Sequence, residues 1–213
     1  DLFEPSMTKF CSEKVDFPKT KTICYMPRKN SLYSDIVINL LEANLPKNWK
    51  IIEIHGQTEN KVIEILKEST IFLNFSDLEG NPAPPLEAAV LGNIVIGNHG
   101  NGAKSYWHEP LFIKVNQEDL KGYVTKTLEL VNNIDLNQNM LLNYEKNRLD
   151  LISTLQARIT LSNVISNLVS SDELTASNLQ NDKEHFYSLS LFKYFFWRIK
   201  VKLNTKTDKA PYS

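Results

Sequence analysis

The sequence is short of the residues that most quickly betray a function. Its 213 residues hold two cysteines, Cys11 and Cys24, in neither a CxxC pair nor a repeated spacing. That excludes a disulfide framework and fits a reducing compartment. The four histidines, His55, His99, His108 and His185, have no metal-ligand spacing, so no metal site is assigned. Glycine numbers seven, and no GxGxxG turn follows the first candidate strand, which argues against a dinucleotide dehydrogenase. No apolar run reaches the about 18 residues of a membrane span, and no stretch reads as a signal peptide. An excess of either charge is missing as well: Lys+Arg 24 against Asp+Glu 25 leaves a net charge of -1. Such a balance offers no global field for nucleic acid, and any bound anion must be held locally. A cytoplasmic protein is the expectation.

What is present is alternation. Residues 1–20 are polar, begin with Asp1, carry Pro5 and Pro18, and read as a linker entering a domain from something upstream. Residues 21–134 then switch repeatedly between β-branched runs and amphipathic stretches. Strands are expected over 22–26, 49–54, 71–75, 93–97 and 111–115. Helices are expected over 31–44, from 58 through Leu66, over 87–91, and over 117–131, where Leu120, Val124, Leu128 and Val131 share one face. Five strands alternating with helices imply a doubly wound, Rossmann-like α/β fold with a mostly parallel sheet. If its order is 2-1-3-4-5, ligands would bind where the winding reverses, beyond strands one and three. Those strand ends carry Pro27-Arg28-Lys29 and Ser76-Asp77-Leu78-Glu79-Gly80. Residues 135–204 read as a helical extension and 205–213 as a frayed tail.

The densest stretch is Glu79-Gly80-Asn81-Pro82-Ala83-Pro84-Pro85-Leu86-Glu87-Ala88-Ala89, followed by Gly92-Asn93-Ile94-Val95-Ile96-Gly97. Two glutamates flank a Gly/Pro-rich turn that opens a helix, and proline suits a first helical turn because its missing N–H would be orphaned there. The helix start is read as an anion site, with Glu87 in its first turn facing a vicinal diol.

This run resembles the donor-binding motif of retaining glycosyltransferases with the GT-B fold, the family-4 group in particular. There, Glu-Gly-Phe-Gly-Leu-Pro-Pro-Leu-Glu-Ala is followed by a strand and a glycine loop. The likeness extends over about residues 23–106 and takes in Pro27-Arg28-Lys29, Ile54-His55-Gly56, Phe72-Leu73-Asn74-Phe75-Ser76 and Gly97-Asn98-His99-Gly100-Asn101-Gly102. The resemblance implies that Glu79 bonds hydroxyls of the donor sugar and Glu87 the ribose hydroxyls, and that Arg28 and Lys29 neutralise the departing diphosphate. By the same resemblance Gly80, Asn81, Leu86, Gly56, His99, Gly100 and Gly102 line the donor site. It further implies a metal-independent transfer with retention from a nucleotide-diphosphate sugar. The acceptor, a glycan or a lipid-linked one, would be bound by an N-terminal domain outside this chain. Two cations and a helix dipole aimed at developing charge are the electrostatics such a leaving group needs.

The family's Phe-Gly-Leu is here Asn81-Pro82-Ala83, and Pro82 offers no amide to a phosphate. A non-catalytic module that keeps the fold but has lost donor chemistry is therefore the alternative. The plainer readings are a solvated carboxylate at a helix start for Glu87, surface charges for Arg28 and Lys29, and turn glycines for Gly97, Gly100 and Gly102. The aromatic and basic stretch 185–203 reads as a packing helix, with peripheral contact to anionic lipid as the sharper alternative.

Overall fold

The structure, a computed structural model, describes residues 5–27, 31–76, 83–100, 102–104, 106–116, 118–137 and 139–170. The chain divides into two compact units, Asp1–Leu161 and Ser162–Ser213. The first is an α/β domain; of the second, the described residues are the last turns of a long helix. The stretch 185–203 and the tail 205–213 lie outside the described residues.

Five short strands, β1 (Thr20–Tyr25), β2 (Lys50–Glu53), β3 (Ser69–Asn74), β4 (Ile94–Gly97) and β5 (Phe112–Lys114), form one sheet in the order β2-β1-β3-β4-β5. Every pairing is parallel. This is the doubly wound arrangement expected of alternating strands and helices. The pleat sorts side chains to two faces. Ile52, Cys24, Phe72, Val95 and Phe112 stand in register across one face, while Tyr25, Leu73, Ile96 and Ile113 stand in register across the other. All six residues of β3 are buried, as a central parallel strand covered on both faces requires.

Helices α2 (Ser31–Glu42) and α5 (Leu120–Leu136) cover the second face through Val37, Leu41, Leu130 and Val131. The first face is covered by α3 (Glu59–Glu68), α4 (Ala83–Val90), α1 (Pro5–Ser12) and Leu155 of α6 (Met140–Ser170). Part of the segment read as a linker is thus structured. Met7, Phe10 and Cys11 recur at helical spacing, and all three are buried against α3 and α4. Composition hid this, because three apolar residues in a polar stretch are enough to seat a two-turn helix. No helix among the described residues is long and apolar enough to cross a membrane.

The lower edge of the sheet, where strands begin, is tied together by buried donors. Lys19 Nζ donates to Leu66 O (2.8 Å) and Leu91 O (2.6 Å), at the C-terminal ends of α3 and α4. Asn93 Nδ2 donates to Leu66 O (2.8 Å) and Ala88 O (2.9 Å), and Arg148 Nη1 to Val90 O (2.8 Å). The Arg148 guanidinium is held in turn by both carboxylate oxygens of Glu145 (2.6 and 2.7 Å). Gly92, at φ +87°, ends α4 with bonds from its own N–H to Ala89 O and from Asn93 N–H to Ala88 O. That is the left-handed helix stop glycine favours. Carbonyls that a helix end leaves orphaned are satisfied here by side chains far away in sequence. The result fixes α3 and α4 side by side, with their N-terminal ends at the opposite, upper edge.

Candidate functional site

At the upper edge β1 ends at Tyr25, β3 at Asn74 and β4 at Gly97. The winding reverses between β1 and β3, which is where this topology conventionally places a ligand. Arg28 and Lys29 follow β1, and Glu79, Gly80 and Asn81 follow β3; all five lie outside the described residues. The strand ends that precede them in sequence are described.

Asn74 organises the floor. Its Nδ2 donates to Asn98 O (2.8 Å), and its Oδ1 accepts from the Ser76 hydroxyl (3.0 Å). The Tyr123 hydroxyl, projecting from α5, lies 2.8 Å from both Asn74 O and Ile96 O and so clasps the ends of β3 and β4. Its ring stacks on Phe75 with centroids 5.0 Å apart. Gly97 pairs with Asn74 at φ +153°, and a Cβ there would lie 2.2 Å from Asn74 O. Only glycine fits so close an approach. Gly97 is therefore explained by the fold itself.

The loop that follows turns tightly. Asn98 Oδ1 accepts from Gly100 N–H (3.0 Å), and Gly100 adopts φ +51°. His99 is half-buried; its Nδ1 bonds to Gly100 O, and its ring meets Trp107 edge-on with centroids 6.4 Å apart. Gly102 lies in the next turn, closed by Ala103 N–H on His99 O (3.1 Å). His99, Gly100 and Gly102 thus form one compact loop at the end of β4. Gly56 sits apart from it, exposed after β2 at φ +64° with open space around it, just ahead of α3. Its conformation is what asks for glycine.

Helix α4 differs from its expected form. It begins at Ala83, four residues earlier than expected, because Pro84 and Pro85 fit a first turn that needs no internal N–H bond. Glu87 consequently stands in the second turn. Pro82, Pro84 and Pro85 carry no N–H, so only Ala83 and Leu86 offer amides at this helix start, and the anion site expected there is correspondingly thin. The Leu86 side chain is buried in the core with 1% exposure, so that residue has only its backbone to offer a ligand.

Glu87 is the chemically distinctive group among the described residues of this edge. It is half-buried, and burial first, then the nearby Glu59 carboxylate, pushes its carboxyl from 4.5 up to about 7. Glu59 opens α3 behind the N-cap Thr58, whose hydroxyl accepts from Lys61 N–H (3.4 Å). Lys9 of α1 holds Glu59 at 2.8 Å and reaches Asn60 Oδ1 at 3.3 Å. Tyr106 completes the surroundings: its hydroxyl is pushed well above the usual phenol range by burial and by Glu87, and its ring meets Phe112 edge-on at 5.3 Å. Ionised, Glu87 accepts hydrogen bonds from hydroxyls; protonated, it donates one.

Sequence reasoning singled out Glu87 but overlooked Asn74, Tyr106, Glu59 and Lys9. Asn74 alone left a trace, an amide ending an otherwise apolar run. Glu59 and Tyr106 come to act on Glu87, and Lys9 on Glu59, only through folding. Compared with known proteins, the chain matches no protein-family model and no curated protein.

Proposed function

We propose that this chain is the nucleotide-sugar-binding half of a metal-independent retaining glycosyltransferase, acting with an acceptor-binding domain. The observation that carries the reading is Glu87. It is a partly desolvated carboxyl on the helix after β3, at the carboxyl edge of a sheet ordered β2-β1-β3-β4-β5. Holding an acid there costs stability and is worthwhile where a ligand supplies hydroxyls to it. In this reading Glu87 takes the ribose diol and Glu79 the sugar hydroxyls, while Arg28 and Lys29 meet the diphosphate. The cations matter more than the helix start, because two prolines follow Ala83 in the first turn of α4 and leave few amides. The loop through His99, Gly100 and Gly102 forms the adjoining wall.

A second reading, a module that keeps the fold without donor chemistry, is favoured by Pro82, which offers no amide where the family motif has glycine. Calorimetric titration with UDP, GDP, dTDP and NAD separates the two. Saturable binding of one nucleoside diphosphate, weakened in Arg28→Ala and Glu87→Ala, is the expected result. Heat from none of the four would sink the donor-site reading and leave the module; binding of NAD alone would sink both.

A further inference from the structure

We propose that the groove beside β5, walled by α5 and α6, is a second binding site and that it takes a small organic monocation, an alkylammonium or alkylguanidinium. The proposal stands apart from the donor-site reading, which concerns the upper edge of the sheet. The sheet ends at β5, which pairs on one side only, with β4. Beside it lies a cavity of about 280 Å³, close to the lower end of the range for small-molecule pockets, about 300–1,000 Å³. Three elements line it. Ile113 of β5, Leu130 of α5 and Met140 of α6 give it an apolar lining. Glu109, just ahead of β5, Glu129 and Asn133 of α5 and Tyr144 of α6 bring polar groups to the same space.

Among the described residues, no hydrogen bond or ion pair engages the side chains of Glu109, Glu129, Asn133 and Tyr144. Lys126, the one cation in the lining, is engaged: its Nζ donates to Lys114 O at 2.7 Å, the carbonyl of the last residue of β5. Lysine there blunts a strand edge, as exposed edges require. The lining therefore sets two free carboxylates against one ammonium already in use. The negative charge is felt inside the groove, where Glu109, after burial, raises the Tyr144 phenol. These features select the ligand. An anion would face two carboxylates, and a neutral apolar molecule would cover them without a partner. One positive charge balances the lining, and ammonium or guanidinium N–H groups suit its acceptors, the carboxylates, the Asn133 amide oxygen and the Tyr144 oxygen. An aliphatic stem then lies along Ile113, Leu130 and Met140, as lysine and arginine stems do on apolar surface.

The test is an NMR titration of the whole chain with n-butylammonium, n-butylguanidinium and n-butanol, for the wild type and the double variant Glu109→Gln/Glu129→Gln. Both glutamates are exposed, so glutamine should leave the fold intact. The expected result is saturable shifts of the Ile113 and Leu130 methyl groups and the Tyr144 ring with at least one cation and none with n-butanol. The double variant should weaken that binding by about 10-fold or more, as for lost hydrogen bonds to charged groups. The tighter of the two cations identifies the head group. The single variants Glu109→Gln and Glu129→Gln read the same effect should the double one be unstable. Saturation by neither cation, equal shifts with n-butanol, or cation binding unmoved by the substitutions overturns the proposal. None of these readings depends on a nucleotide, so they stand whether or not the donor-site reading does.

Discussion

Substituting Glu87 by glutamine should stabilise the protein, and by an amount that depends on pH in one direction. In the folded chain the Glu87 carboxyl titrates at about 7 against 4.5 when unperturbed. Between those values the folded state holds a proton that the unfolded chain releases, so stability falls as pH rises. The favourable contribution is complete below pH 4.5, declines through the interval, and is gone above pH 7. One proton corresponds to a slope of about 1.4 kcal/mol per pH unit, and the whole interval to about 3 kcal/mol as an upper figure for a partly open site. Glutamine keeps the shape and cannot ionise, so it escapes the decline. The assay is urea unfolding at pH 5, 6, 7 and 8, followed by far-ultraviolet circular dichroism. The difference between variant and wild type, which removes the other carboxylates from the comparison, should grow from pH 5 to 7 and then level off. A constant difference across the series, or a variant less stable than wild type at pH 8, would refute the desolvation argument.

Lys19 should give the opposite slope on the other side of neutrality. Burial brings its ammonium down from 10.5 to about 7, so its contribution is least favourable below pH 7 and grows as pH rises from there; the Cys24 thiol, pushed from 9.0 up to about 12, cancels the rise above pH 9 and turns it into a decline only above 10.5. Lys19→Met leaves Leu91 O without its donor and should abolish the rise between pH 7 and 9 in the same denaturation assay, at a cost of about 1–3 kcal/mol at pH 9. Gly97→Ala drives a methyl group to 2.2 Å from Asn74 O and should cost more than about 3 kcal/mol, read as a large loss in thermal midpoint or as failure to fold. Phe10→Ala should cost about 3–5 kcal/mol by urea unfolding, since Phe10 is 4% exposed; an effect below about 0.5 kcal/mol would return that segment to the status of a linker.

The strands were readable because they are short β-branched runs, each closed by a turn residue, whereas their order, 2-1-3-4-5, was an assumption that no residue pattern fixes and that the sheet bears out. Boundaries were less so. Helix α5 was expected from residue 117 but begins at Leu120, because the Asp119 side chain accepts from Gly122 N–H (2.8 Å) and fixes the start. The early start of α4 was available in principle, since two successive prolines belong in a first turn. Helix α1 was missed because it buries only one short stripe. The Lys19, Asn93 and Arg148 ties join residues up to 72 positions apart, and no local pattern announces them. The same holds at the site. That Glu87 matters could be read from its neighbours in sequence, whereas its burial and its coupling to Glu59 and Tyr106 arise only when three segments meet.

The most direct test of the donor-site account is a two-by-two binding comparison. A nucleoside diphosphate that binds the protein and its 2′,3′-dideoxy analogue are each titrated into wild type and Glu87→Gln. If Glu87 holds the ribose diol, loss of the two hydroxyls should weaken binding to wild type by roughly 10- to 100-fold, as expected for hydrogen bonds to a charged group. The same loss should matter little in Glu87→Gln, so that the two changes are strongly non-additive. Equal weakening by the dideoxy analogue in both proteins would place the diol elsewhere and contradict the account.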